Sequence, residues 1–268
     1  MNKDFTLNSY TNYLEILKNH GYCFYRYDEY MQNVKLVDKY CLIRHDVDRN
    51  PKRSLEMAQI ENSLNIKSTY YFRVKRNTFN PSIIKKIESL WHEIGYHYES
   101  LSDTNGNIEG AIKDFTLNLK KFRKIAKIKT CSMHGRPFKK HDNRDLWRVN
   151  KNHDYLINEL KMVGEVYLDI DYSDIAYIND TGRNWTSQES NIRDKVSSKI
   201  PADFRSSAEL ISYFKKTPHK KIVFQIHPER WSDNFIIWHV QNLKDGIINL
   251  IKKLILLRRR QYLKKINS

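Results

Sequence analysis

Short apolar strands alternate with amphipathic helices along most of this sequence, and this alternation limits the fold more than any other feature. Residues 40–43 predict a buried strand, and Pro51 opens a helix whose apolar side chains fall on one face. Residues 68–74 are rich in β-formers, and Asn80-Pro81 then caps and opens the next helix. Repeated βα units of this kind predict a parallel sheet, either open or closed into a barrel.

Polar residues gather where the predicted strands end, and they favour the barrel. Further strands are predicted near residues 94–97 and at 128–133, 164–169 and 221–226. Four clusters come just after strands: His45-Asp46-Val47-Asp48, His97-Tyr98-Glu99, His134-Gly135-Arg136 and His227-Pro228. In a barrel the carboxyl ends of the strands converge on one face, where catalytic groups collect. We therefore expect the four histidine-bearing clusters to share one mouth.

The first two clusters indicate a metal site. Two carboxylates and an imidazole directly after an apolar strand would repel and desolvate one another unless a divalent cation compensated them. An Asx turn or helix cap before Pro51 would account for Asp48 alone. His97 offers a neutral imidazole to zinc or a similar metal, although a single histidine is more often structural.

These motifs resemble a known family. Leu42-Ile-Arg-His-Asp-Val-Asp48, the segment from Ser68 to Phe72 and His92-Glu-Ile-Gly-Tyr-His97 are similar in order and spacing to the polysaccharide deacetylases of carbohydrate esterase family 4. The resemblance covers roughly residues 40–235 and is looser after the second motif. It implies a distorted (β/α)7 barrel of the TIM-like type.

The resemblance also implies roles for individual residues. Asp46 would be the general base and Asp48 a metal ligand, although Val47 separates two aspartates that are adjacent in the common family pattern. His97 would be a second ligand. The family's next ligand histidine is replaced by Leu101, so one ligand must come from elsewhere.

His134 is our candidate for the missing ligand, because Ser132-Met-His-Gly-Arg-Pro137 stands where the family has an Arg-Pro motif. A histidine that only orients the substrate is an equally good interpretation. Phe224-Gln-Ile-His-Pro228 resembles the final family motif, which makes His227 the general acid. The metal implied is zinc foremost, with cobalt, nickel or manganese as alternatives.

Five residues are predicted to contact the sugar. Arginine offers a fork of donors, and tryptophan offers a flat apolar ring on which a sugar can stack. The predicted contacts are Arg136, Asp171, Arg183, Trp185 and Trp231. Ordinary loop and core roles would explain the same residues, and isolated tryptophans are more often packing residues.

Size and composition support a single intracellular domain. The chain has 268 residues and no linker-like stretch, so we assign residues 1–245 to one barrel domain. Three cysteines at unpatterned positions suggest free thiols and a reducing compartment. With no signal-peptide pattern at the start, we expect a cytoplasmic protein.

Residues 246–268 form the remaining segment, a basic amphipathic helix with Lys252, Lys253, Arg259 and Arg260 opposite an apolar stripe. Through residues 247–265 it would contact an anionic membrane from the inner face, or it would pack on the barrel with a solvated basic face. The net charge of +16 invites nucleic-acid binding, but no recognised motif supports it.

The predicted function is metal-dependent deacetylation of a sugar, with a lipid- or nucleotide-linked precursor of a surface polysaccharide as substrate. A non-catalytic glycan-binding relative is the first alternative, because Leu101 stands where a ligand histidine is expected. Hydrolysis of a glycosidic bond or of another non-peptide C–N bond on the same barrel is the second.

Overall fold

The computed structural model describes residues 4–136, 139–185, 193–216 and 218–266, with only the backbone of residues 252, 253 and 255–266. The strands are β1 Cys23–Tyr25, β2 Tyr40–Val47, β3 Thr69–Phe72, β4 Glu93–Tyr98, β5 Thr130–Met133, β6 Gly164–Glu165, β7 Ala176–Asn179 and β8 Lys221–Ile226. The helices are α1 Leu7–Asn19, α2 Tyr27–Met31, α3 Pro51–Ser63, α4 Pro81–Ser89, α5 Ser100–Asp103, α6 Ile108–Arg123, α7 Asp145–Arg148, α8 Asn150–Asp154, α9 Ser207–Lys216 and α10 Phe235–Ile266. A π-helical turn spans Tyr155–Glu159, and a 3₁₀ turn spans Pro228–Arg230.

The strands form one parallel sheet in the order β6-β5-β4-β3-β2-β8-β7, with β1 paired to the first half of β2. Around the ring the strands therefore follow the chain order from β2 to β6 and then from β7 to β8, and β8 pairs with β2. Among the described residues no ladder joins β6 to β7. Seven parallel strands therefore curl into a barrel that is interrupted at one place. This confirms the predicted distorted (β/α)7 barrel.

Alternating side chains of each strand serve two different layers. On β8, Val223 belongs to one apolar cluster, while Ile222 and Phe224 belong to another that contains the buried face of α1. On β2, Leu42 and Cys41 divide in the same way. The period of two in a strand explains this division. The same alternation determines which of the polar residues near the carboxyl ends of these strands point toward the interior of the ring.

The strands are longer than predicted where they carry the site. Because Arg44 to Val47 pair with residues 69–72 of β3, the strand continues through His45 and Asp46, and only Asp48 follows it. His97 likewise lies within β4 rather than after it. The predicted strand at 164–169 shortens to Gly164–Glu165, because the Glu165 side chain accepts the backbone N–H of Tyr167 at 2.8 Å and turns the chain. β7 was not predicted.

Helix α10 begins at Phe235, so residues 246–266 continue a helix that starts earlier in the chain. The side chains of Lys252, Lys253, Arg259 and Arg260 lie outside the described residues. In the part of the chain that is described, no helix is both long enough and apolar enough to cross a membrane. The three cysteines are free.

Candidate metal centre and active site

A cavity of about 180 Å³ lies at the carboxyl ends of the strands. Asp46 and Asp48 reach it from β2, His97 from β4, and His227 from the end of β8. The loops after β5 and β7 and the helix α10 also contribute to the wall; the lining residues include His134, Arg136, Thr181, Asp245 and Ile248. Strands that are far apart in sequence thus bring the predicted clusters together at one mouth, as the parallel topology requires.

Asp48, His97 and His134 converge on a common point. The Nε2 atom of His97 lies 3.4 Å from Asp48 Oδ1, and Nε2 of His134 lies 3.3 Å from the same oxygen. One ligand atom from each of the three side chains lies within 4.8 Å of the others. Two nitrogens and one oxygen at these separations can reach a single ion with small side-chain rotations.

The partners of the two histidines assign the hydrogen of each neutral ring to Nδ1. His97 Nδ1 lies 3.0 Å from the Ser132 carbonyl oxygen, which can only accept, so Nδ1 carries the hydrogen. His134 Nδ1 lies 2.8 Å from Oε2 of Glu99 and donates to that carboxylate in the same way. Such partners orient metal-binding imidazoles and raise their basicity. In its neutral form, each ring therefore presents an unprotonated Nε2 to Asp48, and this is the form that binds a metal.

The electrostatics of this cluster fit a cation. Among the described residues Asp48 Oδ1 is buried and has no hydrogen-bond partner, an expensive situation for a carboxylate. Burial alone would raise the pKa of Asp48, but the His134 and His97 imidazoles, which are positive when protonated, hold it well below its usual range. Three convergent lone pairs on an ionised carboxylate and two imidazoles are a donor set that a divalent metal satisfies.

Asp46 is held ionised by an ion pair inside the ring. Arg44 donates to both of its oxygens, from Nε at 2.8 Å and from Nη2 at 2.6 Å, and Gln225 Nε2 donates at 2.7 Å. Burial opposes the charge, but Arg44 and His97 keep the pKa of Asp46 well below its usual range. The carboxylate lies 4.0 Å from His97 and lines the cavity. Asp46 can therefore accept a proton, but its lowered pKa makes it a weaker base than an ordinary aspartate.

His227 is oriented by Asp180. Its Nδ1 lies 2.6 Å from Asp180 Oδ1, and its backbone N–H donates to Oδ2 at 2.9 Å. Burial and the nearby Arg230 charge lower the pKa of His227, but Asp180 outweighs them and raises it above its usual value. A buried imidazole that faces the cavity and holds its proton more firmly than usual is suited to donate that proton during a reaction.

Arg136 lies at the cavity, with Nη1 at 2.6 Å from Glu99 Oε2. Leu101, at the position where a ligand histidine was expected, is 2% exposed and belongs to the apolar core. His45 is also directed elsewhere, because it points away from the ring toward α3 and pairs with Glu61 at 2.6 Å. Among the described residues, His134 in the loop after β5 is the candidate that joins Asp48 and His97 in one cluster.

The two predicted sugar-stacking tryptophans lie in the core. Trp185 is 2% exposed, stacks on Phe5 at 5.1 Å and donates from Nε1 to Ser207. Trp231 is fully buried, and its Nε1 donates to Asp180 Oδ2 at 2.7 Å. Neither ring lines the cavity. Trp231 reaches the site only through the carboxylate that orients His227.

Arg183 and Asp171 are not at the cavity either. The Arg183 guanidinium donates to the carbonyl of Trp238 at 3.1 Å and lies over that ring, which ties the loop after β7 to α10. Asp171 is exposed in a cleft with Tyr40 and Lys221, the first residues of β2 and β8. It therefore lies at the amino-terminal end of the strands, the opposite end from the cavity.

Two functional positions were missed by reasoning from the sequence. Asp180 directly follows β7, and its strand-end position was the available signal, but β7 itself was not predicted. Glu99 was predicted only as a member of the cluster after β4 and was given no role, whereas it accepts from His134, Arg73 and Arg136. The convergence of strand ends in a barrel locates such residues, but it does not indicate which of them act by orienting a neighbouring side chain.

Comparisons with known proteins add the following. No family model matches the sequence, and no curated protein matches it. Among solved structures, a variant of peptidoglycan deacetylase PdaC from Bacillus subtilis is 11% identical, with a TM-score of 0.44 over 87% of this chain and 98% of that one. A CE4 esterase of Streptococcus mutans is 15% identical, with a TM-score of 0.43 over 88% and 90%. The Xyl-CE4 domain of a xylanase from the hindgut metagenome of Trinervitermes trinervoides is 13% identical, with a TM-score of 0.39 over 83% and 84%. At these identities and TM-scores, the likeness gives no information about activity.

Proposed function

We propose that this protein is a divalent-metal-dependent deacetylase that removes an acetyl group from a sugar. One observation carries the proposal: Asp48, His97 and His134 converge on one point in a cavity that Asp46 and His227 also line. An ion site, a carboxylate and an oriented imidazole around one small cavity are the groups that hydrolysis of an acetyl amide or ester needs.

In the mechanism we propose, each of these residues has a distinct task. Asp48, His97 and His134 would hold the metal, which when bound would polarise the acetyl carbonyl and lower the pKa of a nearby water. Asp46 accepts the proton of the attacking water. His227, held by Asp180, donates a proton to the departing nitrogen or oxygen of the sugar. Arg136 binds an oxygen of the substrate at the mouth.

The proposal includes several finer assignments. Two nitrogens and one oxygen favour zinc, with cobalt, nickel or manganese as alternatives. The substrate is a lipid- or nucleotide-linked acetylated sugar in surface-polysaccharide assembly, and the protein works in the cytoplasm. The proposal covers acetyl groups on nitrogen and on oxygen.

The test is release of acetate from a panel of N- and O-acetylated sugars by protein loaded with each metal in turn. We expect activity that is lost with a chelator, restored by metal and reduced at least about 100-fold in Asp46→Asn. Asp171→Asn is the matched control, because this exposed aspartate lies at the other end of the strands. Metal-loaded protein that releases no acetate from the whole panel would contradict the proposal.

The role of His227 has its own test in the pH profile. Because Asp180 raises the pKa of His227, Asp180→Asn is expected to move the alkaline limb of kcat to lower pH. An unchanged limb in an active variant would remove His227 from the role of acid.

A second candidate function is glycan binding without catalysis. It is favoured by the Arg44–Asp46 ion pair, which lowers the basicity of the proposed base. The two candidates separate on one measurement, because a binding protein would retain acetylated sugars without releasing acetate even when metal is bound.

A further inference from the structure

Helix α10 carries most of the exposed large apolar side chains among the described residues. Of the exposed large apolar side chains among the described residues, nine lie between Phe235 and Leu254, and five lie elsewhere. Six of the nine recur at alternating spacings of four and three residues, which places them on one side of the helix. We call this set the α10 stripe: Ile236, Val240, Leu243, Ile247, Leu250 and Leu254.

The opposite side of the same helix is fixed to the protein and forms part of the cavity wall. Asp245 and Ile248 line the cavity, Asn249 donates to the Gly182 carbonyl at 2.8 Å, and Trp238 Nε1 donates to the Asp4 carbonyl at 2.6 Å. These contacts hold the helix in one orientation. The stripe therefore faces outward from a helix that is already docked on the barrel.

The charge of α10 distinguishes between occupants of the stripe. From residue 235 to 266 the sequence has eight basic residues and one acidic residue, Asp245, which is buried. The alternating spacing is also typical of a coiled-coil seam, but the positions that flank it include Lys244, Lys253, Arg258 and Arg260 and no acid. Pairing two copies would set like charges against each other on chains that each carry +16. An anionic bilayer complements both the apolar stripe and the basic helix.

We propose that the α10 stripe docks on the surface of an anionic membrane, with the helix lying in the interface. The same helix then holds the cavity mouth beside the lipid headgroups. Resting on the proposed function, this placement makes a sugar carried on a membrane lipid the substrate class.

The test is co-sedimentation of the full chain with vesicles of phosphatidylcholine, either alone or with a quarter phosphatidylglycerol. We expect binding to the anionic vesicles only, weakened by salt. The double variant Leu243→Ser/Leu250→Ser is expected to bind at least about 10-fold more weakly, because it loses two apolar side chains that would enter the bilayer. Leu117→Ser is the matched control, since Leu117 on α6 is 68% exposed and Leu243 is 67% exposed. Thermal unfolding establishes that each variant is folded.

Three results would overturn the proposal. The first is absence of binding to anionic vesicles by the wild type. The second is equal binding by the folded double variant and the wild type. The third is a lipid-free dimer that the double variant converts to monomer in sedimentation velocity, which would assign the stripe to a second copy. Asp48→Asn, which would abolish the proposed activity, is expected to bind vesicles like the wild type, so failure of either proposal is recognisable without the other.

Discussion

Replacing Glu99 by glutamine should weaken metal binding although Glu99 is not one of the three candidate ligands. Its Oε2 accepts from His134 Nδ1 at 2.8 Å, and Oε1 accepts from Arg73 at 2.8 Å. Burial would raise the pKa of Glu99, but His134 and Arg73 hold it well below its usual range, so the side chain is ionised. Glutamine keeps the shape and an accepting oxygen but removes the charge that makes the His134 imidazole a stronger donor.

The expected loss of affinity is about 10- to 100-fold, or about 1.4–2.7 kcal/mol, the usual effect of altering the hydrogen-bond partner of a ligand histidine. Cobalt titration against a chromophoric chelator measures it directly, and the visible spectrum of the bound cobalt reports the coordination. Because deprotonated ligands bind metal, the titrations of wild type and variant must be made at the same pH.

Asp103→Asn is the matched control for this substitution. Asp103 accepts from Lys75 at 2.6 Å and lies 3.5 Å from Arg136, so it shares two cationic neighbours with Glu99. No contact joins it to the three candidate ligands in the described structure. If Asp103→Asn and Glu99→Gln weakened cobalt binding equally, the effect would be one of general charge, and the argument from the His134 hydrogen bond would be refuted.

The remaining predictions concern stability. Burial and the nearby Asp28 charge raise the pKa of Glu93 to about 7, so the folded state loses stability as pH rises from the unfolded value of 4.5 through about 7. The free energy of unfolding of Glu93→Gln relative to wild type, measured with urea, should therefore be higher at pH 8 than at pH 5 by on the order of 2–3 kcal/mol. An equal difference at both pH values would contradict this. Trp185→Ala should cost about 3–5 kcal/mol in the same assay while KM of the folded enzyme stays unchanged; a raised KM would return Trp185 to the substrate site. Trp231→Phe removes the hydrogen bond to Asp180 and should cost about 1.5–3 kcal/mol, and an unchanged midpoint would show that this bond contributes nothing.

The neighbourhood of Asp48, His97 and His134 could be predicted because it follows from topology alone. Parallel strands bring their carboxyl ends to one edge, so polar residues that follow apolar strands must lie near one another. The same rule gave the placement of His227. It works without knowledge of any side-chain contact, which explains why the cavity residues were found while their partners Asp180 and Glu99 were assigned no supporting role.

Residues that lie away from strand ends could not be placed by this rule. Trp185 and Trp231 stand in polar stretches, and nothing local indicates that both rings would turn inward against Phe5. Asp171 comes just after the predicted strand at 164–169, but β6 ends at Glu165 and the chain then turns toward the other end of the ring. Where a strand stops depends on side-chain hydrogen bonds such as those of Glu165 to the backbone of Met133 and Tyr167. Such tertiary contacts cannot be read from the local sequence.

The interruption of the ring between β6 and β7 sets how the mouth can widen. In the described structure no ladder spans this seam, and Arg193 crosses it instead by donating to the carbonyl oxygens of Gly135 and Arg136, each at 2.7 Å. Releasing such bonds costs about 0.5–1.5 kcal/mol each, far less than unzipping a pair of strands. The Tyr167 hydroxyl also donates to Asp194 across the seam at 3.3 Å. The mouth is therefore held by side-chain bonds at this seam, whereas continuous ladders hold the strands that carry Asp46 and His97 in register.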